Sequence, residues 1–243
     1  MNYILFHIPH SQIKIPKIYW SICLKDKEYI HNSNIFLSDY LIDDLVPPRV
    51  HQIKFKYSRI FCDVEKFKDD KREIMASKGM GVIYTNDSQN IITNPTKEYR
   101  NKIIKFYYDK YHNKLDKRVT DILNKYHKCI IIDFHSYSDQ QVLKLFDIKN
   151  APDICIGTDV NYTSIELRSF TIDYFKRCGY SVMENYPYSG TIIPNKYIDR
   201  KKDGLLSIMI EINKRVYLSD KESFRKMDEC INNFYKEIKI MKL

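Results

Sequence analysis

Apolar residues in this chain fall into short runs separated by longer stretches with helical spacing. Residues 3–8, 50–55, 59–65, 82–84, 130–134, 153–156, 181–184 and 205–212 read as strands. The run Ile130-Ile131-Ile132-Asp133-Phe134 is mostly β-branched, which suits a strand covered on both faces, and it stops at His135-Ser136-Tyr137-Ser138-Asp139. A helix is expected over roughly 38–46, capped by Asn34 or Ser38 and ended by Pro47-Pro48, with Asp39 in its first turn where the helix dipole favours a carboxylate. From about Thr96 to Tyr126 the apolar positions Ile103, Ile104, Phe106, Tyr107, Tyr111, Leu115, Val119, Ile122 and Leu123 recur at helical intervals and predict one long helix. Further helices are expected over 162–178, stopping at the C′ glycine Gly179, and over 219–239. Strands and helices alternate, with crossovers long enough for parallel pairing. The pattern therefore predicts one α/β domain over residues 1–243: a three-layer α/β/α sandwich around a mixed, mostly parallel sheet.

Composition narrows the class. The 243 residues are 44% hydrophobic and 14% aromatic, which suits a globular domain and excludes disorder. No apolar run approaches a membrane span, and Met1-Asn2-Tyr3 lacks the basic region and apolar core of a signal peptide. The six cysteines are widely spread with no CxxC pair, and they read as reduced thiols in a cytoplasmic protein. The net charge of +9 raises the question of a nucleic-acid partner. Its lysines are interleaved with acids, as in Lys221-Glu222 and Lys236-Glu237, so they describe a solvated basic surface and argue against such a partner. Oligomeric state leaves no mark in the sequence.

Chemistry concentrates where strands end. In open α/β sheets, ligands bind beyond the carboxyl ends of strands. Four such ends carry His10, Asp63 with Glu65, His135 and Glu211. Two histidines and a carboxylate form a common set of ligands for catalytic zinc. A second carboxylate that does not ligate would serve as proton acceptor and donor. Glu211 interrupts an apolar strand, where an unpaired charge is costly; it is either that general base or the partner of Lys214 or Arg215. A lone histidine such as His135 can equally be a satisfied core residue.

These residues sit in blocks that resemble the N-formylglutamate amidohydrolase family, whose fold is related to the zinc carboxypeptidases. The blocks are Ile8-Pro9-His10-Ser11, Ser58 to Phe67, Gly79 to Tyr84, Asp133 to Tyr137, Pro152 to Thr158, Asn185 to Thr191, and Ile210 to Lys214, in the family's order. The resemblance implies metal-dependent hydrolysis of an amide in a small acidic substrate, with one zinc ion held by His10 and His135 and Glu211 as general base. Carboxypeptidases place a glutamate three residues after the first histidine, where this chain has Ile13. Asp39 is the preferred third ligand and Glu65 its rival; Asp39 is otherwise a plain helix-start carboxylate. Arg59 would hold a substrate carboxylate and stabilise the oxyanion, or else pair with Asp63 or Asp44. Lys66 stands where the family often has arginine. Asn185, Tyr188 and Thr191 would line the substrate pocket, although Asn185 is also a good turn residue. Two alternatives accompany this reading: an amidase or carboxypeptidase acting on another N-acyl amino acid or peptide, and a non-catalytic binding module of the same fold.

Overall fold

A computed structural model describes residues 2–241 of the chain. By its internal packing the chain divides into two compact units, one of Met1–Ile8, Leu41–Ile53 and Asp116–Leu243, the other of Pro9–Tyr40 and Lys54–Leu115.

The larger unit is built on a six-stranded mixed sheet. Its strands are β1 (Ile4–Ile8), β2 (His51–Lys54), β3 (Cys129–Tyr137), β4 (Ile154–Gly157), β5 (Val182–Glu184) and β6 (Leu205–Asn213), ordered β2-β1-β3-β6-β4-β5. β3 lies parallel to both β1 and β6, while β4 runs antiparallel to β6 and parallel to β5. Because side chains alternate across a strand, the register separates two kinds of residue. Ile4, Phe6 and Ile8, Ile130, Ile132 and Phe134, and Ile208, Ile210 and Ile212 share one face and one apolar core. That core is completed by Leu167, Tyr174 and Phe175 of α5 (Ile165–Arg177) and by Met227, Ile231, Phe234 and Ile238 of α7 (Lys221–Ile240). Each such side chain contributes roughly 1.5–3 kcal/mol on burial. The opposite face of the same strands carries His7, Asp133, His135, Ser207 and Glu211, all buried. Strand β3 is thus covered on both faces, as its composition predicts, but polar on one of them.

The helices follow their caps. In α5 the Ser164 hydroxyl accepts the Leu167 amide at 3.2 Å, and Gly179 takes φ +89° just beyond its end. The helix α4 (Asp139–Phe146) opens on a capping box between Ser138 and Gln141. A short α6 (Arg215–Leu218) precedes α7, so the terminal helix begins later than its pattern suggests. The predicted long helix is present as α2 (Lys97–Ile103), a π-helical turn at Ile104–Tyr108 and α3 (Asp109–Tyr126), with Thr96 as N-cap.

The smaller unit corrects three expectations. Its first helix, α1, spans Lys27–Leu37, and Ser38 closes it, donating its amide to the Asn34 carbonyl at 2.8 Å. No helix covers 38–46: Leu41 takes φ +59°, which a helix cannot continue through, and only a 3-10 turn at Ile42–Leu45 follows in the larger unit. Residues 59–65 are turns, not a strand, although Ile60, Phe61, Cys62 and Val64 are fully buried. Ser58 and Asp63 capture nearby backbone amides (Ile60 at 3.1 Å, Glu65 at 3.1 Å) and so bend the chain. Residues 82–84 likewise form no sheet strand, only the isolated bridge between Met80 and Tyr84.

Candidate active site

In the smaller unit the candidate residues gather around His10, which is 2% exposed. Asp39 reaches it by backbone pairing, its amide donating to the His10 carbonyl at 2.9 Å. It does not sit in a helical first turn, so the helix-dipole argument for that residue fails. The His10 ring presents Nε2 to Asp63 Oδ1 at 2.8 Å. Its Nδ1 lies 3.5 Å from Glu65 Oε2 and 3.8 Å from Asp39 Oδ2. The other Asp63 oxygen accepts Arg59 Nη2 at 2.9 Å and the Tyr84 hydroxyl at 2.9 Å. Burial alone would raise the Asp63 carboxyl, but facing His10 and Arg59 it is held well below the usual carboxylate range.

Arg59 therefore forms the Asp63 pair that the sequence offers as an alternative, with Nη1 also 3.9 Å from Asp39 Oδ1. Lys66 pairs with Glu73 at 3.3 Å. The turn bearing Glu65 is held from the helix: His112 Nε2 donates to the Val64 carbonyl at 2.7 Å, and the Tyr108 hydroxyl to that of Lys66 at 2.9 Å.

In the larger unit, His135 and Glu211 are register partners on β3 and β6, and Cys155 of β4 is the next partner in the same row. Glu211 is 7% exposed. Arg215 directs its guanidinium to Asp139 and to Asp153 at 2.8 Å, and Lys214 reaches Gln141 at 3.4 Å. Burial, reinforced by the Glu211 charge, pushes the Cys155 thiol up to about 12. Asp133 Oδ1 is shared by His7 Nδ1 at 2.7 Å and His135 Nε2 at 3.0 Å, and Asp133 Oδ2 accepts the Ile192 amide at 2.7 Å. Burial would raise the Asp133 carboxyl; the facing His135 and His7 rings hold it well below its ordinary value.

The loop after β5 closes on the ends of these strands. Asn185 takes φ +51°, accepts the Thr158 amide at 3.0 Å and donates to its hydroxyl at 2.8 Å, so it braces the turn. The Tyr188 ring packs against Tyr137 and Phe146, and its carbonyl accepts the Cys155 thiol at 3.1 Å. Thr191 Oγ1 lies 2.8 Å from Ser207 Oγ.

Sequence reasoning passed over His7, Asp133 and Tyr84. The first two carried a legible signal. Asp133 and His135 stand two apart in an apolar strand, hence on one face, and His7 interrupts the equally apolar β1. Tyr84 carried none, because only tertiary packing puts its hydroxyl on Asp63.

A family profile described as N-formylglutamate amidohydrolase matches residues 3–218. Among solved structures, the N-formylglutamate amidohydrolase of Ralstonia eutropha JMP134 superimposes with a TM-score of 0.79 at 17% identity, covering 98% of this chain and 94% of that one. A protein of Agrobacterium tumefaciens superimposes with a TM-score of 0.72 at 15% identity, covering 98% and 92%. At these identities the likeness is one of fold. No curated protein matches the sequence.

Proposed function

The chain belongs to the N-formylglutamate amidohydrolase family, and from that premise we propose that it is a zinc-dependent hydrolase cleaving the amide of a small acidic N-acyl amino acid such as N-formylglutamate. The observation that carries this reading is the matched preparation of two histidines. His10 and His135 each set one ring nitrogen against a buried aspartate, Asp63 and Asp133 respectively. Such a contact orients an imidazole in the way carboxylate–histidine–metal groupings do. The donor chemistry therefore suits a divalent ion of zinc's type. His10, Asp39 and His135 are the proposed ligands, with Glu65 as the alternative to Asp39. When bound, zinc supplies a Lewis acid that acidifies water and polarises a carbonyl.

Glu211 is the proposed general base. Its carboxylate takes a proton from the attacking water as the water oxygen bonds to the scissile carbonyl carbon. The same carboxyl returns the proton to the amide nitrogen as the carbon–nitrogen bond breaks. For N-formylglutamate the products are formate and glutamate. Arg59 would meet negative charge on the substrate, and Lys66, Asn185, Tyr188 and Thr191 would complete its binding. In this reading the chain is a single catalytic domain of carboxypeptidase-like fold in the cytoplasm. The Lys66–Glu73 pair favours a second reading, in which the acidic substrate is a different N-acyl amino acid or a short peptide.

The test is hydrolysis of N-formylglutamate, and of a panel of acylated amino acids and peptides, before and after chelation. Chelated protein should lose turnover and regain it with zinc. Undiminished turnover by metal-free protein would overturn the scheme.

A further inference from the structure

We propose that His7 is a positioning residue, which clamps the Asp133 carboxylate by a buried hydrogen bond and through it sets the plane and tautomer of the His135 ring. This rests on the reading of His135 as a metal ligand. His7 and Asp133 are partners in the parallel β1–β3 register, so the two side chains leave the sheet together on its polar face. An imidazole in Ile4-Leu5-Phe6-His7-Ile8, itself 0% exposed, loses its hydration and is tolerated there only with a polar partner. Asp133 is that partner, at 2.7 Å.

The geometry then constrains His135. A carboxyl group turns easily about its terminal torsion, which is broad. Here Oδ1 lies between two imidazole nitrogens and Oδ2 accepts the Ile192 amide, so donors from three chain segments fix its plane. With Oδ1 as acceptor, His135 carries its proton on Nε2, and the lone pair falls on Nδ1. Without the His7 donor, Oδ1 is held by His135 alone. The carboxylate can then rotate, and His135 can adopt the other tautomer, which removes the lone pair from Nδ1. The same carboxylate anchors the loop before Ile192, so His7 also steadies the segment bearing Tyr188 and Thr191.

His7→Leu and His7→Asn separate the hydrogen bond from mere packing, since the two replacements match in size and only asparagine can donate where Nδ1 does. Two readouts are needed: the zinc dissociation constant by competition with a chromophoric chelator, and the ring nitrogen shifts of His135 in histidine-labelled protein, assigned by their loss in His135→Gln. In the wild-type protein, His135 should be protonated on Nε2 both with and without zinc. His7→Leu should bind zinc about 10–100-fold more weakly with a mixed His135 tautomer. His7→Asn should restore affinity to within about threefold of wild type, on the scale of such outer hydrogen bonds. Wild-type His135 protonated on Nδ1 would overturn the inference. So would a leucine variant with unchanged affinity and tautomer, or an asparagine variant as weak as leucine. Should the leucine variant fail to fold, the wild-type spectrum and the asparagine variant decide. A wild-type protein that binds no zinc would instead remove the metal reading, while the tautomer comparison still reports on His7.

Discussion

Single carboxylates in this chain do different work according to what surrounds them. Glu211 lies in a strand row between His135 and Cys155, and its proposed task is to carry a proton. Glu211→Gln should keep bound zinc, by elemental analysis, and lower kcat by about 10²–10⁴-fold; an unchanged kcat would remove it from that role. Asp87, by contrast, is structural. It accepts the Ser33 and Tyr29 hydroxyls at 2.5 and 2.8 Å and the amides of Gln89 and Asn90 at 3.0 and 2.8 Å. Burial would raise its carboxyl, but these donors outweigh burial and lower it. A depressed folded value means that its stabilisation is complete above the unfolded pKa of about 3.9 and is lost as pH falls through the folded value. Asp87→Asn should therefore cost about 1.5–3 kcal/mol near neutrality. In urea denaturation that gap should narrow as pH falls below about 4, and a gap constant with pH would contradict the assignment.

At the scale of elements, strands were legible wherever period and composition agreed. β3 and β6 are long, β-branched and bounded by turn residues, and both form as expected. The stretch 59–65 has similar composition and folds as turns, because Ser58 and Asp63 offer the backbone a local alternative to a ladder. Helix α1 is hard to read from the sequence because its apolar residues cluster at Tyr29-Ile30 and Ile35-Phe36-Leu37, and one of its three buried positions, Asn34, is polar. The end of β4 shows a demand that a sequence states only as one letter. A Cβ at Gly157 would lie 2.1 Å from the Gly190 carbonyl oxygen and 2.4 Å from Met209 Cε. Backbone cannot yield as a flexible side chain can, so Gly157→Ala should cost about 1–3 kcal/mol. That corresponds to a fall in Tm of about 2–12 °C at this size. An unchanged melting curve would show that the loop accommodates the methyl group.

For the molecule as a whole, a ligand that binds only the folded chain must stabilise it. Zinc at about 100 times its Kd adds roughly 2.7 kcal/mol, or about 5–10 °C in Tm for a chain of this length. Chelated protein should melt lower by that margin and recover with zinc, and identical melting curves would speak against a resident metal. All six cysteines are free thiols, in keeping with their scattered spacing. No helix among the described residues is long and apolar enough to cross a membrane.

By itself the sequence determined the α/β class, the strands that carry His135 and Glu211, the family, and the residue types fit for metal-dependent hydrolysis. Periodicity and short ordered motifs are local properties, and they survive in one dimension. Only the tertiary structure decided that Asp63 and Asp133 each hold a histidine, that Arg59 closes on Asp63 and Arg215 on Asp139 and Asp153, and that His7 stands behind Asp133. Those pairings join segments up to 126 residues apart, and hydrogen-bond geometry is settled over a few ångströms of space, a distance that chain spacing does not encode.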